Sequence, residues 1–149
     1  MTPKKAAAVH ASAFAPQRGW TETEIATLLD HPTVKLFSKD GAFALVRTVA
    51  DEAELLTIAV PPAQQGKGTG QALMRVWMQE VAAATAFLEV AADNRAAHAL
   101  YLRLGFCEIA RRPAYYSRAD AQAVDALIMR ANLTSGQHRR TDAHPLKTG

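Results

Sequence analysis

Gln65-Gly66-Lys67-Gly68-Thr69-Gly70 follows the apolar run Leu55-Leu56-Thr57-Ile58-Ala59-Val60 and precedes a helix-forming segment from Gln71. Three alternating glycines at that junction point to a ligand more than to packing. Glycine reaches positive φ and leaves the backbone bare, so successive N–H groups turn toward one point. A helix starting there adds the positive end of its dipole. Such a loop binds a phosphate or pyrophosphate, and spacing separates the candidates. A P-loop needs Gly-x-x-x-x-Gly-Lys-Ser/Thr, and neither Lys-Ser nor Lys-Thr follows these glycines. A dinucleotide turn needs Gly-x-Gly-x-x-Gly; Gly66 and Gly68 put its third glycine at Gln71, although Glu89 lies where the ribose-binding acid would. Length decides against that fold, because a doubly wound sheet needs more strand–helix units than remain after residue 90.

The whole chain narrows the class further. Its 149 residues suffice for one domain with a proper core, and 49% hydrophobic and 21% charged residues are ordinary for a globular protein. No apolar run approaches a membrane span and no signal-peptide pattern opens the chain, so a cytoplasmic protein without membrane contact is expected. The single cysteine, Cys107, excludes an internal disulfide framework and has no histidine or acid motif near it for a thiol mechanism. His10, His31, His98, His138 and His144 lack metal-ligand spacing, so no metal is expected. A net charge of +3 does not indicate nucleic-acid binding, and His138-Arg139-Arg140 is too short a basic run for it.

Local signals order the elements. Thr2-Pro3 reads as an N-cap with proline at the first helical position, opening a helix to about Phe14. After a loop from Ala15 to Gly19, Thr21-x-x-Glu24 forms a capping box for a helix to about Asp30, stopped by His31-Pro32. Val34 to Phe37 reads as a strand, Asp40-Gly41 as a hairpin turn into Ala42 to Val49, and Leu55 to Val60 as a third strand ended by Pro61-Pro62. Leu73, Trp77 and Val81 give helical periodicity over 71–84, and Ala86 to Ala91 is a buried type of strand. Ala96 to Leu104 is a short helix closed by Gly105, with Phe106 folding back. Cys107 to Ala110 and Val124 to Met129 are two further strands, separated by a loop holding Tyr115 and Tyr116. From Thr134 hydrophobic periodicity ends, so 1–133 reads as the folded domain and 134–149 as a flexible tail.

Gln65-x-x-Gly68-x-Gly70 after a strand resembles the Gln/Arg-x-x-Gly-x-Gly/Ala signature of the GCN5-related N-acetyltransferases. A second constellation tightens the match. Phe87-Leu88-Glu89-Val90, Asp93-Asn94 and Ala99-Leu100-Tyr101-x-x-Leu104-Gly105-Phe106 resemble the N-terminal protein acetyltransferases of that family. Arg111-Arg112-Pro113-Ala114-Tyr115-Tyr116 and Asp125 to Met129 are similar to the same branch. The likeness is strong over 51–130 and weaker before it. It implies an α/β (α+β) acyltransferase fold, a mixed central sheet flanked by helices. The family's first strand is expected to be missing or vestigial, since only Met1 and Thr2 precede the first helix.

What the resemblance implies for function is specific. Acetyl-coenzyme A would be the cosubstrate, with its pyrophosphate held by Gln65, Gly66, Lys67, Gly68, Thr69, Gly70 and Gln71. Ile58, Ala59 and Val60 would pair by backbone with the pantetheine arm, and Asn94 would hydrogen-bond it. Glu89 takes the place of the general base, and Tyr101 that of the donor to the coenzyme A sulfur. Trp20, Tyr115 and Tyr116 would line the acceptor's entrance. Glu52, Asp93 and Glu108 are possible partners for a basic second acceptor residue. Structural readings stay open beside these: an ion pair for Glu89, a half-buried helix position for Tyr101, an N-cap for Asn94, plain packing for the tyrosine pair. The implied activity is Nα-acetylation of a protein, with the N-terminal alanine of a small-subunit ribosomal protein as acceptor and a monomer as the expected state. A relative acting on a small amine, amino acid or lysine, or a non-catalytic coenzyme A-binding module, are the alternatives.

Overall fold

Thr2 caps the first helix by accepting the Lys5 N–H at 3.1 Å, and Pro3 opens it, giving α1 over Pro3–Phe14. The computed structural model describes residues 1–119 and 121–133, so the expected tail lies outside the described residues. The capping box at Thr21 and Glu24 is formed in both directions and starts α2, Glu22–Leu29. Strands β1 (Val34–Lys39) and β2 (Ala42–Val49) make the expected hairpin, with Asp40 at φ 52° and Gly41 at φ 82° in the turn. β3 follows over Glu52–Ala59, then a 3-10 turn over Pro62–Gln64 and helix α3, Thr69–Glu80. β4 (Thr85–Ala91), α4 (Arg95–Arg103), β5 (Cys107–Arg118) and β6 (Ala121–Asn132) complete the order. Among the described residues no strand precedes α1.

The sheet runs β1-β2-β3-β4-β6-β5. It is mixed. The β3–β4 pairing is parallel and spans three pairs, from Glu52↔Thr85 to Glu54↔Phe87, whereas β4–β6 and β5–β6 are antiparallel. The chain divides into two compact units, Met1–Val49 with Leu55–Val81, and Ala50–Glu54 with Ala82 onward.

In the first unit, β2 is buried without interruption from Ala42 to Val46, as a strand covered on both faces must be. Phe43 and Leu45 join Ala6, Val9, Ile25 and Ala59 in one cluster, and α3 contacts β1 and β2. Trp77 of α3 is fully buried, with its indole N–H on the Met74 sulfur at 3.1 Å. In the second unit, Ala86, Leu88 and Val90 of β4 are buried, while Phe87 and Glu89 alternate onto the half-buried face. The α4 terminus is a full Schellman motif: Gly105 at φ 96°, its N–H on the Leu102 carbonyl, and the Phe106 N–H on that of Tyr101 at 3.0 Å.

Two expectations need correction. The helix expected over 71–84 begins two residues earlier and stops at Glu80, because the Ala84 N–H bonds to Asp51 and its carbonyl accepts from Leu133. Those tertiary bonds outweigh alanine's helix propensity. Tyr115 and Tyr116 lie on β5 and not on a loop. β5 is an edge strand, almost wholly exposed, so it carries no apolar alternation to read. Its register slips between Arg112 and Tyr116 around Pro113 and Ala114 (φ 51°), where the Ala114 N–H turns to the Asp125 carboxylate at 2.9 Å.

Candidate active site

The glycine loop belongs to the first unit. Gly66 and Gly68 adopt φ 76° and 81°, and a Cβ on either would meet nothing within 4 Å. The glycines are therefore there for backbone conformation, and the space before them is open. Gly68 is the N-cap of α3 and offers no side chain to its first N–H groups, the earliest intrahelical bond being Ala72 N–H to the Gly68 carbonyl. Donors without intrahelical partners, open space beside the two glycines and exposed Lys67 fit an anionic group such as a pyrophosphate. Gly70 sits inside the first turn of α3 and has no positive φ, so Gly66 and Gly68 alone make the left-handed pair. Thr69 is buried and Gln71 half-buried on the same turn. Gln65 donates its side-chain amide to the Val60 carbonyl at 3.0 Å, which ties the loop to the end of β3 and occupies that acceptor. Ile58 and Ala59 remain as β3 backbone beyond the three-pair ladder.

Glu89 lies in the second unit, opposite Ile128 of β6. Tyr116 donates its hydroxyl to Glu89 Oε1 at 3.3 Å, and Arg112 Nε lies 3.6 Å from Oε2. Both carboxylate oxygens thus face a donor. Burial, then the Glu89 charge, pushes the Tyr116 phenol up to about 12, so it keeps the proton it donates. Arg112 also lies over the Tyr115 ring at 5.1 Å, and Tyr115 packs edge-on to Tyr116 at 5.2 Å. Arg118 lies over the Tyr116 ring at 5.8 Å and grips Asp93 through two 2.8 Å bonds, which hold the Asp93 carboxyl below its usual range.

Tyr101, on α4, is 5% exposed and packs edge-on to Phe106. Burial pushes its phenol up to about 12. Among the described residues nothing hydrogen-bonds its hydroxyl, an unsatisfied buried donor that calls for a ligand partner. Asn94 caps α4 by accepting the Ala97 N–H at 3.3 Å, which uses its oxygen and leaves its NH₂ group for another acceptor.

This arrangement can be set beside known proteins. The sequence model of the acetyltransferase (GNAT) family matches residues 13–106. The chain belongs to the acetyltransferase (GNAT) family. Ribosomal protein bS18-alanine N-acetyltransferase of Escherichia coli (strain K12) is 46% identical over 94 residues, 61% of this chain and 63% of that protein. N-alpha-acetyltransferase RimI of Mycobacterium tuberculosis is 41% identical over 83 residues, 56% of this chain and 52% of that one. The matched stretch thus spans less than two thirds of either relative's length. The crystal structure of the ribosomal-protein-S18-alanine N-acetyltransferase from Escherichia coli aligns at TM-score 0.79 and 35% identity, over 88% of this chain and 87% of that one.

Within this GNAT fold, Glu89, Asn94, Tyr101, Tyr115 and Tyr116 share the second unit, and Trp20, Ile58 to Val60 and the glycine loop share the first. Of the acids set aside for a basic acceptor residue, Asp93 already holds Arg118 and Glu108 already holds Arg111. Among the described residues no cluster of three metal-ligating side chains occurs, and no helix is long and apolar enough to cross a membrane. Sequence reasoning passed over Arg112 and Arg118, whose roles depend on cross-strand register, and His10. The last had a signal. Ala6, Val9, His10, Ala13 and Phe14 mark one helical face, which puts a histidine toward the core.

Proposed function

We propose that this protein is an acetyl-coenzyme A-dependent Nα-acetyltransferase acting in the cytoplasm on the N-terminal amine of a protein. The preferred acceptor is the N-terminal alanine of a small-subunit ribosomal protein. The observation that carries the reading is the Glu89 carboxylate, faced by Tyr116 and Arg112, in the same unit as Tyr101, a buried phenol with no hydrogen-bond partner among the described residues. The names of the bS18-alanine N-acetyltransferases that it resembles support the acceptor.

When bound, acetyl-coenzyme A supplies an acyl group activated as a thioester. The chain's residues do the rest. The glycine loop and the first turn of α3 would hold the pyrophosphate, and Asn94 and the β3 backbone would orient the arm. Glu89, directly or through one water, takes the proton from the acceptor's ammonium, so the nitrogen lone pair is free to form the amide bond as the carbon–sulfur bond breaks. Tyr101 would give its proton to the departing sulfur, and the second proton that the nitrogen sheds on becoming an amide would restore the phenol through water, leaving one net proton, the one taken by Glu89. An α-amino group, with a pKa of about 7.7–8.0 against about 10.4 for lysine, suits a site whose base is one carboxylate.

The test is a set of peptides beginning with alanine, serine or a blocked residue, each carrying one internal lysine. They are incubated with acetyl-coenzyme A and the label is located by mass spectrometry. Nα-labelling of the alanine peptide is expected. Equal labelling of the blocked peptide would instead assign a lysine or small-amine acceptor.

A further inference from the structure

We infer that His10, assisted by Gly19, is a positioning residue for the acceptor: it fixes Trp20 as a rigid wall. The inference rests on the proposal that Trp20 lines the acceptor's entrance. Its evidence lies wholly in the first unit. His10 projects from α1 and is 2% exposed. Its Nδ1 accepts the backbone N–H of Trp20 at 3.0 Å, which leaves the ring proton on Nε2, and Nε2–H donates to Thr57 Oγ1 of β3 at 2.9 Å. The neutral ring has one tautomer that satisfies both bonds. It also stacks on Phe14, with centroids 4.1 Å apart and planes 2° apart, and on the Trp20 indole at 5.1 Å and 19°.

A core position needing only volume would be filled at less desolvation cost by leucine or phenylalanine. What histidine adds is a bond to the backbone of one residue, Trp20, beneath its own ring. The chain on either side is held as closely. Gly19 passes so near α1 that a Cβ would lie 2.5 Å from Ala11 Cα and 2.7 Å from its nitrogen. Arg18 makes two bonds to Glu24, at 3.0 and 3.1 Å, and Thr21 closes the capping box with the same residue. Four consecutive residues, 18 to 21, are thus held by three partners, Glu24, Ala11 and His10. The charged groups facing His10 are Glu24 of α2 and Arg18, of opposite sign, while Phe43 of β2 and Thr57 of β3 bring none. A side chain fixed in advance loses no rotamer freedom when a flexible chain end docks on it, and this preserves affinity.

Two variants attack the anchor from different sides. His10→Phe keeps the stacked volume and deletes both hydrogen bonds; Gly19→Ala pushes the chain off Ala11 with His10 intact. Each is compared with the parent for acceptor KM, kcat and coenzyme A affinity. Trp20 emission is recorded with Trp77→Phe as background, since the chain has only 2 tryptophans. Both variants should shift the Trp20 emission and raise acceptor KM about tenfold, the scale of one lost buried hydrogen bond, with coenzyme A affinity unchanged. His10→Gln, whose amide can serve both partners, should recover part of the loss. Unchanged emission and KM in His10→Phe, or equal losses in acceptor and coenzyme A binding, would overturn the inference. Trp20→Ala with native acceptor KM would sink the entrance proposal itself. A parent that acetylates no peptide sinks the activity proposal, while the emission still reports whether His10 holds Trp20.

Discussion

At the scale of single residues, the chemistry depends on which groups hold protons. Tyr101 and Tyr116 are both pushed up to about 12, mainly by burial, so each stays a donor through the working pH range. On the proposed role of Glu89, Glu89→Gln should cost on the order of 10²–10⁴-fold in rate, with the deficit narrowing as rising pH deprotonates the acceptor amine. Tyr101→Phe should lower kcat within the same range and leave coenzyme A affinity nearly intact, because in the proposed role its proton is needed only as the sulfur leaves. Tyr116→Phe removes one neutral donor from the carboxylate and should cost about tenfold. Rate-against-pH profiles of the three variants check all of this; full activity in the first two would return Glu89 and Tyr101 to structure. Glu89 and Tyr101 could be singled out as candidates in the sequence because they sit at fixed spacing within one strand–helix motif. The clamp of Arg118 on Asp93 was not, since its members come together only through pairing of residues far apart in the chain.

At the scale of elements, legibility followed the range of the determining force. Helices α1 and α2 and the β1–β2 hairpin are set by neighbouring residues: a Thr-Pro start, a capping box, an Asp-Gly turn. Their bounds were readable within two residues. β5 and the end of α3 are set by partners distant in sequence, and were not. The glycine loop allows ligand and fold to be separated. Gly68 at φ 81° holds a conformation that costs other residues roughly 1–2 kcal/mol, so Gly68→Ala should destabilise by about that much although its Cβ meets no atom. Gly70 is helical, so Gly70→Ala should leave stability unchanged or raise it by about 0.5–1 kcal/mol. If bare backbone at that turn receives a pyrophosphate, Gly70→Ala should nonetheless weaken coenzyme A binding. Calorimetry beside thermal melts decides this, and native affinity in Gly70→Ala would remove the loop's first helical turn from the cofactor site.

At the scale of the whole molecule, the order of elements and the mixed sheet agree with the resemblance read from residues 51–130, and the fold aligns with its bacterial relative. The acid response was not legible, because it depends on burial that no local pattern announces. Desolvation holds His10 down at about 4, against 6.5 in an exposed histidine, with Glu24 opposing and Arg18 assisting. Above pH 6.5 the ring is neutral in both the folded and unfolded chain, and its contribution is fully present. As pH falls from 6.5 toward 4 the unfolded chain gains a proton that the folded one refuses, so stability drops, by roughly 3 kcal/mol in all. A second group acts lower. Glu24 is held at about 2 by Arg18 and the Thr21 N–H, Asp93 is lowered by Arg118, and Asp125 by the Ala114 N–H and Arg111. Depressed carboxylates stabilise above their unfolded pKa near 4 and lose that contribution as pH falls through the lowered values. The melting temperature should therefore be level above pH 6.5, descend between 6.5 and 4, and descend again below 4. His10→Phe should begin from a lower plateau, since Thr57 and the Trp20 N–H lose their partner, yet lack the first descent. Parallel melts of parent and variant from pH 8 to 3 test this. A parent curve level between pH 6.5 and 4 would mean that the His10 ring accepts a proton where it lies, and that neither the Trp20 N–H nor its burial keeps it neutral.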